Sequence, residues 1–127
     1  MIAEAIAQED ALRFTRVVET NERLSGGVMK PMAGSTRVQF ERLAQVEAFL
    51  RPTTAEELTA LGTNAEIHYV DLRVLASWVR DTIGDVELAA RLEAVVDTEQ
   101  PYGLLVPDIK RAIAERLAEY EAALSPE

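Results

Sequence analysis

The chain contains no cysteine, which excludes disulfide staples, thiolate nucleophiles, thiolate zinc sites and cysteine-ligated iron–sulfur clusters. Histidine is nearly as scarce. His68 is the only one, whereas a transition-metal site ordinarily draws on at least two strong nitrogen or sulfur ligands. Lysine occurs only at Lys30 and Lys110, and 13 basic residues face 22 acidic ones for a formal net charge of −9. Nucleic-acid affinity rests on Lys and Arg displacing counterions from phosphates, and anionic lipid attracts the same residues, so neither partner is expected. No apolar run approaches the roughly 20 residues that span a bilayer. Met1 to Asp10 carries acids where a secretion signal carries basic residues. The expectation is a cytoplasmic protein whose partners are other proteins, a second copy of itself, or neutral or cationic small molecules.

What is present suits one packed domain. The 127 residues are 48% hydrophobic and 28% charged, enough to fill one core and too apolar for a disordered chain. No internal repeat or low-complexity tract appears. Ala3, Ala7, Ala11, Phe14 and Val18 recur at steps of three and four and predict an N-terminal helix over about 3–24. Ser25 to Ser35, with its glycines and Pro31, reads as a glycine-rich loop over 25–35. Thr36-Arg37-Val38-Gln39 fits a capping box for a second helix through Phe40, Leu43, Val46 and Phe49, stopped by Pro52. Thr53 to Glu57 offers another capping box, for a short helix ended by Gly62. Ala65 to Val70 alternates weakly and suits a short extended segment with no evident second strand beside it.

Three further helices are plainer. Asp71 is a good cap for the stripe Leu72, Leu75, Ala76, Val79 and Ile83, which Gly84 ends. Asp85 caps a second stripe of Leu88, Leu92, Val95 and Val96. Ile109, Ile113, Leu117, Tyr120 and Leu124 form a third, after an irregular connection from Thr98 to Pro107. The sum is a single all-α or nearly all-α domain over 1–127, bundle-like, with five to six helices.

The run Val74-Leu75-Ala76-Ser77-Trp78-Val79-Arg80-Asp81, followed by Gly84-Asp85-Val86-Glu87-Leu88-Ala89, resembles an uncharacterised prokaryotic family. Its members carry a histidine, then a motif close to Asp-Phe-Ala-Asn-Trp-Val-Arg-Asp, then Gly-Asp-x-Glu-Leu-Ala. The resemblance covers about 53–96, with Val74, Leu75 and Ser77 departing from the pattern. It implies a helical domain of unknown function, and no reaction comes with it.

Few residues offer chemistry. His68 is the one conventional acid–base group at neutral pH. With Asp71 and Glu66 nearby it reads as a weak catalytic or metal-ligand candidate, or else as a histidine bonded to a backbone carbonyl. Glu56, Glu57, Asp81 and Asp85 could be grouped as carboxylates, but acids at helix starts are explained by the helix dipole. A phosphate loop is excluded because Lys30 precedes Pro31 and no Gly-Lys-Ser/Thr follows the glycines. Val28, Met29 and Met32 in the glycine-rich segment, together with Trp78, are candidate partner contacts, since methionine adapts to a partner's surface and Trp anchors interfaces. Trp78 is equally a large packing residue. The reading is a non-enzymatic accessory or protein-interaction module that binds another protein or itself, without cofactor or metal. The alternative is an enzyme, or a metal or small-ligand binder, using His68 with nearby acids.

Overall fold

The computed structural model describes residues 6–30, 34–51 and 67–125. Among them five α-helices share the chain with a three-stranded antiparallel sheet. The fold is therefore mixed α/β, and the all-α expectation is corrected. In chain order the elements are α1 (Gln8–Phe14), a 3₁₀ turn (Thr20–Glu22), β1 (Leu24–Lys30), β2 (Gly34–Phe40), α2 (Leu43–Phe49), β3 (Ile67–Tyr69), α3 (Leu72–Trp78), α4 (Val86–Val96) and α5 (Tyr102–Leu124).

The sheet has the order β2-β1-β3. Its β1–β2 ladder runs in unbroken register from Leu24 opposite Phe40 to Lys30 opposite Gly34, and β3 pairs His68 with Val28. The described parts of the segment expected as a glycine-rich loop over 25–35 are thus strand, in β1 up to Lys30 and in β2 from Gly34. Side chains alternate across a strand, so Leu24, Gly26 and Val28 share one face with Phe40, Val38 and His68. Leu24 and Phe40 are buried there. Gly26 allows that closeness, since a Cβ on it would sit 3.0 Å from Phe40 Cε2 and 3.0 Å from the Tyr69 carbonyl oxygen. A glycine inside a strand often marks such an approach.

The helix expected from Thr36 begins later. Thr36 to Gln39 belong to β2, and the capping glutamine is Gln45, whose Oε1 accepts from the amides of Glu41 (2.6 Å) and Arg42 (3.3 Å). The N-terminal helix is also shorter than the 3–24 expected, ending at Phe14. Arg16 then reaches away, donating to the carbonyls of Arg13 (2.6 Å), Ile83 (3.1 Å) and Thr82. Those last two carbonyls lie where α3 ends, a position that favours a cation.

The helices after Val70 lie where the stripes put them. Asp71 caps α3, accepting from Arg73 N (3.1 Å) and Val74 N (3.2 Å). The helix widens into a π turn over Val79–Ile83, where both Gly84 N (2.8 Å) and Asp85 N (3.1 Å) donate to the Val79 carbonyl. Gly84 closes it at φ +96°, the left-handed geometry glycine takes without strain. α5 starts earlier than expected, directly after Pro101, and carries Pro107 within it. One apolar core joins all these layers, centred on Leu43, Leu75, Ile83, Leu88, Leu92, Ile109 and Ile113. No helix among the described residues is long and apolar enough to cross a membrane. The helix expected over Thr53 to Gly62, and the candidates Met32, Glu56, Glu57 and Glu66, lie outside the described residues.

Candidate functional site

Three places gather side chains that could act on another molecule: the sheet, a buried ionic cluster under α4, and a small cavity between α3 and α4.

On the sheet, Val28 is half-buried on the core-facing side, whereas Met29 is 45% exposed on the opposite face. That outer face also carries Ser25, Arg37, Gln39 and Tyr69, which is 46% exposed. Arg37 lies across it, its Nη2 and Nε donating to Ser25 Oγ at 2.9 and 3.3 Å. Tyr69 leans on Tyr102 with ring centroids 4.9 Å apart. The Tyr102 hydroxyl accepts from Val70 N (3.0 Å) and donates to the His68 carbonyl (3.3 Å), fixing the end of β3 to the start of α5. Burial raises the Tyr102 pKa above the ordinary tyrosine value, even though the Val70 amide acts in the other direction.

His68 faces inward. Its Nδ1 lies 2.8 Å from the Phe49 carbonyl oxygen, and its ring stacks on Phe49 at 4.4 Å between centroids and 12° between planes. A carbonyl only accepts, so Nδ1 carries the proton in that bond. Asp71 is engaged at the start of α3, capping Arg73 N and Val74 N. Trp78 is 7% exposed and donates its indole N–H to the Glu22 carbonyl at 2.7 Å. It packs the 3₁₀ turn onto α3 and offers almost no surface to a partner. Of the four partner-contact candidates, only Met29 is exposed within the described residues.

The ionic cluster escaped the sequence reading. Asp85 and Arg116 are both buried, at 1% and 6% exposure. Arg116 grips the carboxylate in a two-bond fork, Nε to Oδ2 at 2.7 Å and Nη2 to Oδ1 at 3.0 Å. The hydroxyl of buried Tyr120 donates to Oδ2, and Leu88 N donates to Oδ1 at 3.1 Å. Burial alone would raise the Asp85 pKa, but the Arg116 fork, the Tyr120 hydroxyl and the Leu88 amide together hold it below the usual aspartate value. Burial beside that carboxylate pushes the Tyr120 hydroxyl well above the ordinary tyrosine range. The remaining Arg116 nitrogen bonds Glu119 and Glu87, each at 2.7 Å, and both acids are shared with Arg91. All three guanidinium nitrogens are thereby engaged within the chain. The signal was present in the sequence: Arg116 and Tyr120 are four apart, so this arginine falls on the inward side of an otherwise apolar helix stripe.

The cavity between α3 and α4 holds about 200 Å³ and is lined by Arg73, Ala76, Ser77, Arg80, Glu93, Val96 and Asp97. Its cations are already paired, Arg73 with Asp97 at 3.3 Å and Arg80 with Glu93. It includes three positions of the run that carries the resemblance, Ala76, Ser77 and Arg80, of which Ala76 and Arg80 keep the motif's residue. Four others have architectural places: Trp78 and Val79 are in the core, Gly84 makes the left-handed turn and Asp85 caps α4. Among the described residues, no three of His, Asp and Glu gather as a metal ion would require. Among the described residues the sheet brings exposed Met29 and Tyr69 beside β2, a strand paired on one side only. Compared with family models, curated proteins and solved structures, the chain matches none.

Proposed function

We propose that the chain is a non-enzymatic protein-binding module and that the β1–β2 hairpin, with the outer face of the sheet, is its contact surface. The observation that carries this reading is the exposure of Met29 and Tyr69 on a face bordered by β2, a strand that pairs with no other strand than β1 among the described residues. An adaptable thioether and an amphipathic ring are side-chain types enriched at interfaces, and a strand edge supplies backbone donors and acceptors for a partner. Arg116 is held by Asp85, Glu119 and Glu87 within the chain, and His68 is engaged with Phe49 behind the sheet.

The test replaces Met29 and Tyr69 together by serine in the full chain. Proteins that co-purify with the wild type are quantified, then titrated against both forms. The expected result is a loss of affinity of about tenfold or more, with the melting temperature nearly unchanged, because both side chains are largely outside the core. Equal binding by the two forms would remove the sheet from the interface and the reading with it.

A further inference from the structure

The sheet edge has a chemical character that the rest of the chain lacks. Between Leu24 and Phe40 there are two basic residues, Lys30 and Arg37, and not one Asp or Glu, in a chain whose net charge is −9. β2 is an edge strand of seven residues, of which Gly34, Ser35, Thr36, Arg37 and Gln39 are exposed. Its outer side meets no other strand among the described residues. The ladder to β1 has no bulge along its length, so this edge lacks the distortion with which proteins commonly protect an open strand. Arg37 sits at its centre, bonded only to the neutral Ser25 hydroxyl, and makes no ion pair among the described residues.

We infer that β2 receives an extended, acidic segment of a partner protein, added to the sheet as a fourth strand. This rests on the protein-binding reading above and specifies its partner. Main-chain hydrogen bonds along the edge give affinity in such a pairing, and alternate side chains give specificity. Here every second side chain of the incoming strand lies on the face that presents Arg37, where a carboxylate finds a guanidinium not yet matched to one. A second copy of the chain fits less well. Full antiparallel overlap of two β2 strands sets Arg37 opposite Arg37, and like charges directly opposite each other destabilise a strand pair. An acidic chain approaching the rest of this surface is repelled, so the basic hairpin also directs where it lands.

The experiment selects a displayed library of random peptides against the immobilised full-length protein, and again against Arg37→Glu and Met29→Ser. Enriched peptides are synthesised with and without N-methylation at alternate amides, which blocks strand pairing without touching the protein. The expected outcome is enrichment of net-negative sequences with strand-forming residues. Their binding should fall about tenfold with Arg37→Glu, weaken with added salt, and disappear on N-methylation of one of the two amide sets. Three results would overturn the inference: neutral or basic winners, winners indifferent to both Arg37→Glu and N-methylation, or no enrichment at all. Sedimentation of the wild type and Arg37→Glu provides the other check, since a dimer altered by the substitution would make a second copy the occupant. If a protein partner is lost with the Met29 and Tyr69 variant while selection yields no acidic strand, the general reading survives and only this specification fails.

Discussion

Asp85 shows how much one side chain can be asked to do. It caps α4 and neutralises Arg116, and it accepts the hydrogen bond of Tyr120, all within the buried volume. Removing one partner of such a pair strands the other's charge, at a cost of about 3 kcal/mol or more. Asp85→Asn keeps the size and a capping oxygen but loses the charge, so chemical denaturation at pH 7 should show destabilisation of about 3 kcal/mol. The pH dependence follows in sign. The folded carboxyl titrates below its unfolded value of about 3.9, so in that window the unfolded chain binds the proton first and stability falls as pH falls. The contribution of Asp85 is complete above about pH 4 and drains away as pH drops through the folded value. Wild type and variant should therefore converge at low pH, and a gap at pH 3 as wide as at pH 7 would contradict this role. The sequence marked Asp85 as a helix cap and as one of four acids that could be grouped, and it did not mark the buried pair with Arg116. Its partners lie 31 and 35 residues away, a separation that no local pattern encodes.

At the scale of elements, helices and strands were unequally legible. α3, α4 and the body of α5 announced themselves through their apolar stripes, supported by the Asp71 and Asp85 caps of the first two and by Gly84 after the first. β1 and β2 did not. Ser-Gly-Gly in β1 carries turn chemistry in isolation, and its strand form comes with pairing to β2 and β3, where Phe40 and Val70 lie close over Gly26. In β2, Thr36, Val38 and Phe40 alternate with Arg37 and Gln39, a period of two, but Thr36 and Gln39 also have capping-box spacing. Seven residues do not decide between the two, and the pairing with β1 does. The two glycines test this directly. Gly26→Ala places a methyl 3.0 Å from Phe40 and from the Tyr69 carbonyl, and overpacking of this kind costs about 1–3 kcal/mol. Gly27→Ala meets only the Thr36 carbonyl oxygen at 3.8 Å, an ordinary contact, and gains from reduced chain entropy by up to about 1 kcal/mol. Thermal melts should thus move in opposite directions. If both alanines behave alike, Gly26 is not the close-approach point of the sheet.

For the whole molecule, burial and exposure are unevenly distributed. All five helices contribute to the apolar core, and the Asp85–Arg116–Tyr120 cluster is buried. β2 contributes Phe40 to that core and leaves most of its length in water. β1 is paired on both sides at Gly27, Val28 and Met29. Local opening requires less free energy where few apolar contacts are lost and backbone bonds are solvent-exposed. Hydrogen exchange should therefore rank the amides: those of β2 directed away from β1 fastest, the doubly flanked stretch of β1 slower, and the interiors of α4 and α5 slowest. The order matters for function as well as for stability. A strand that is to accept a partner must leave backbone groups uncommitted, and the same groups must gain protection when the partner occupies them. Outer-edge β2 amides as slow as those of α4 would mean that the edge is already covered, and the contact surface would then have to be sought elsewhere. Fast exchange confined to those amides, slowed on adding an acidic strand-forming peptide and unchanged in Arg37→Glu, would tie the exposed edge to binding in one measurement.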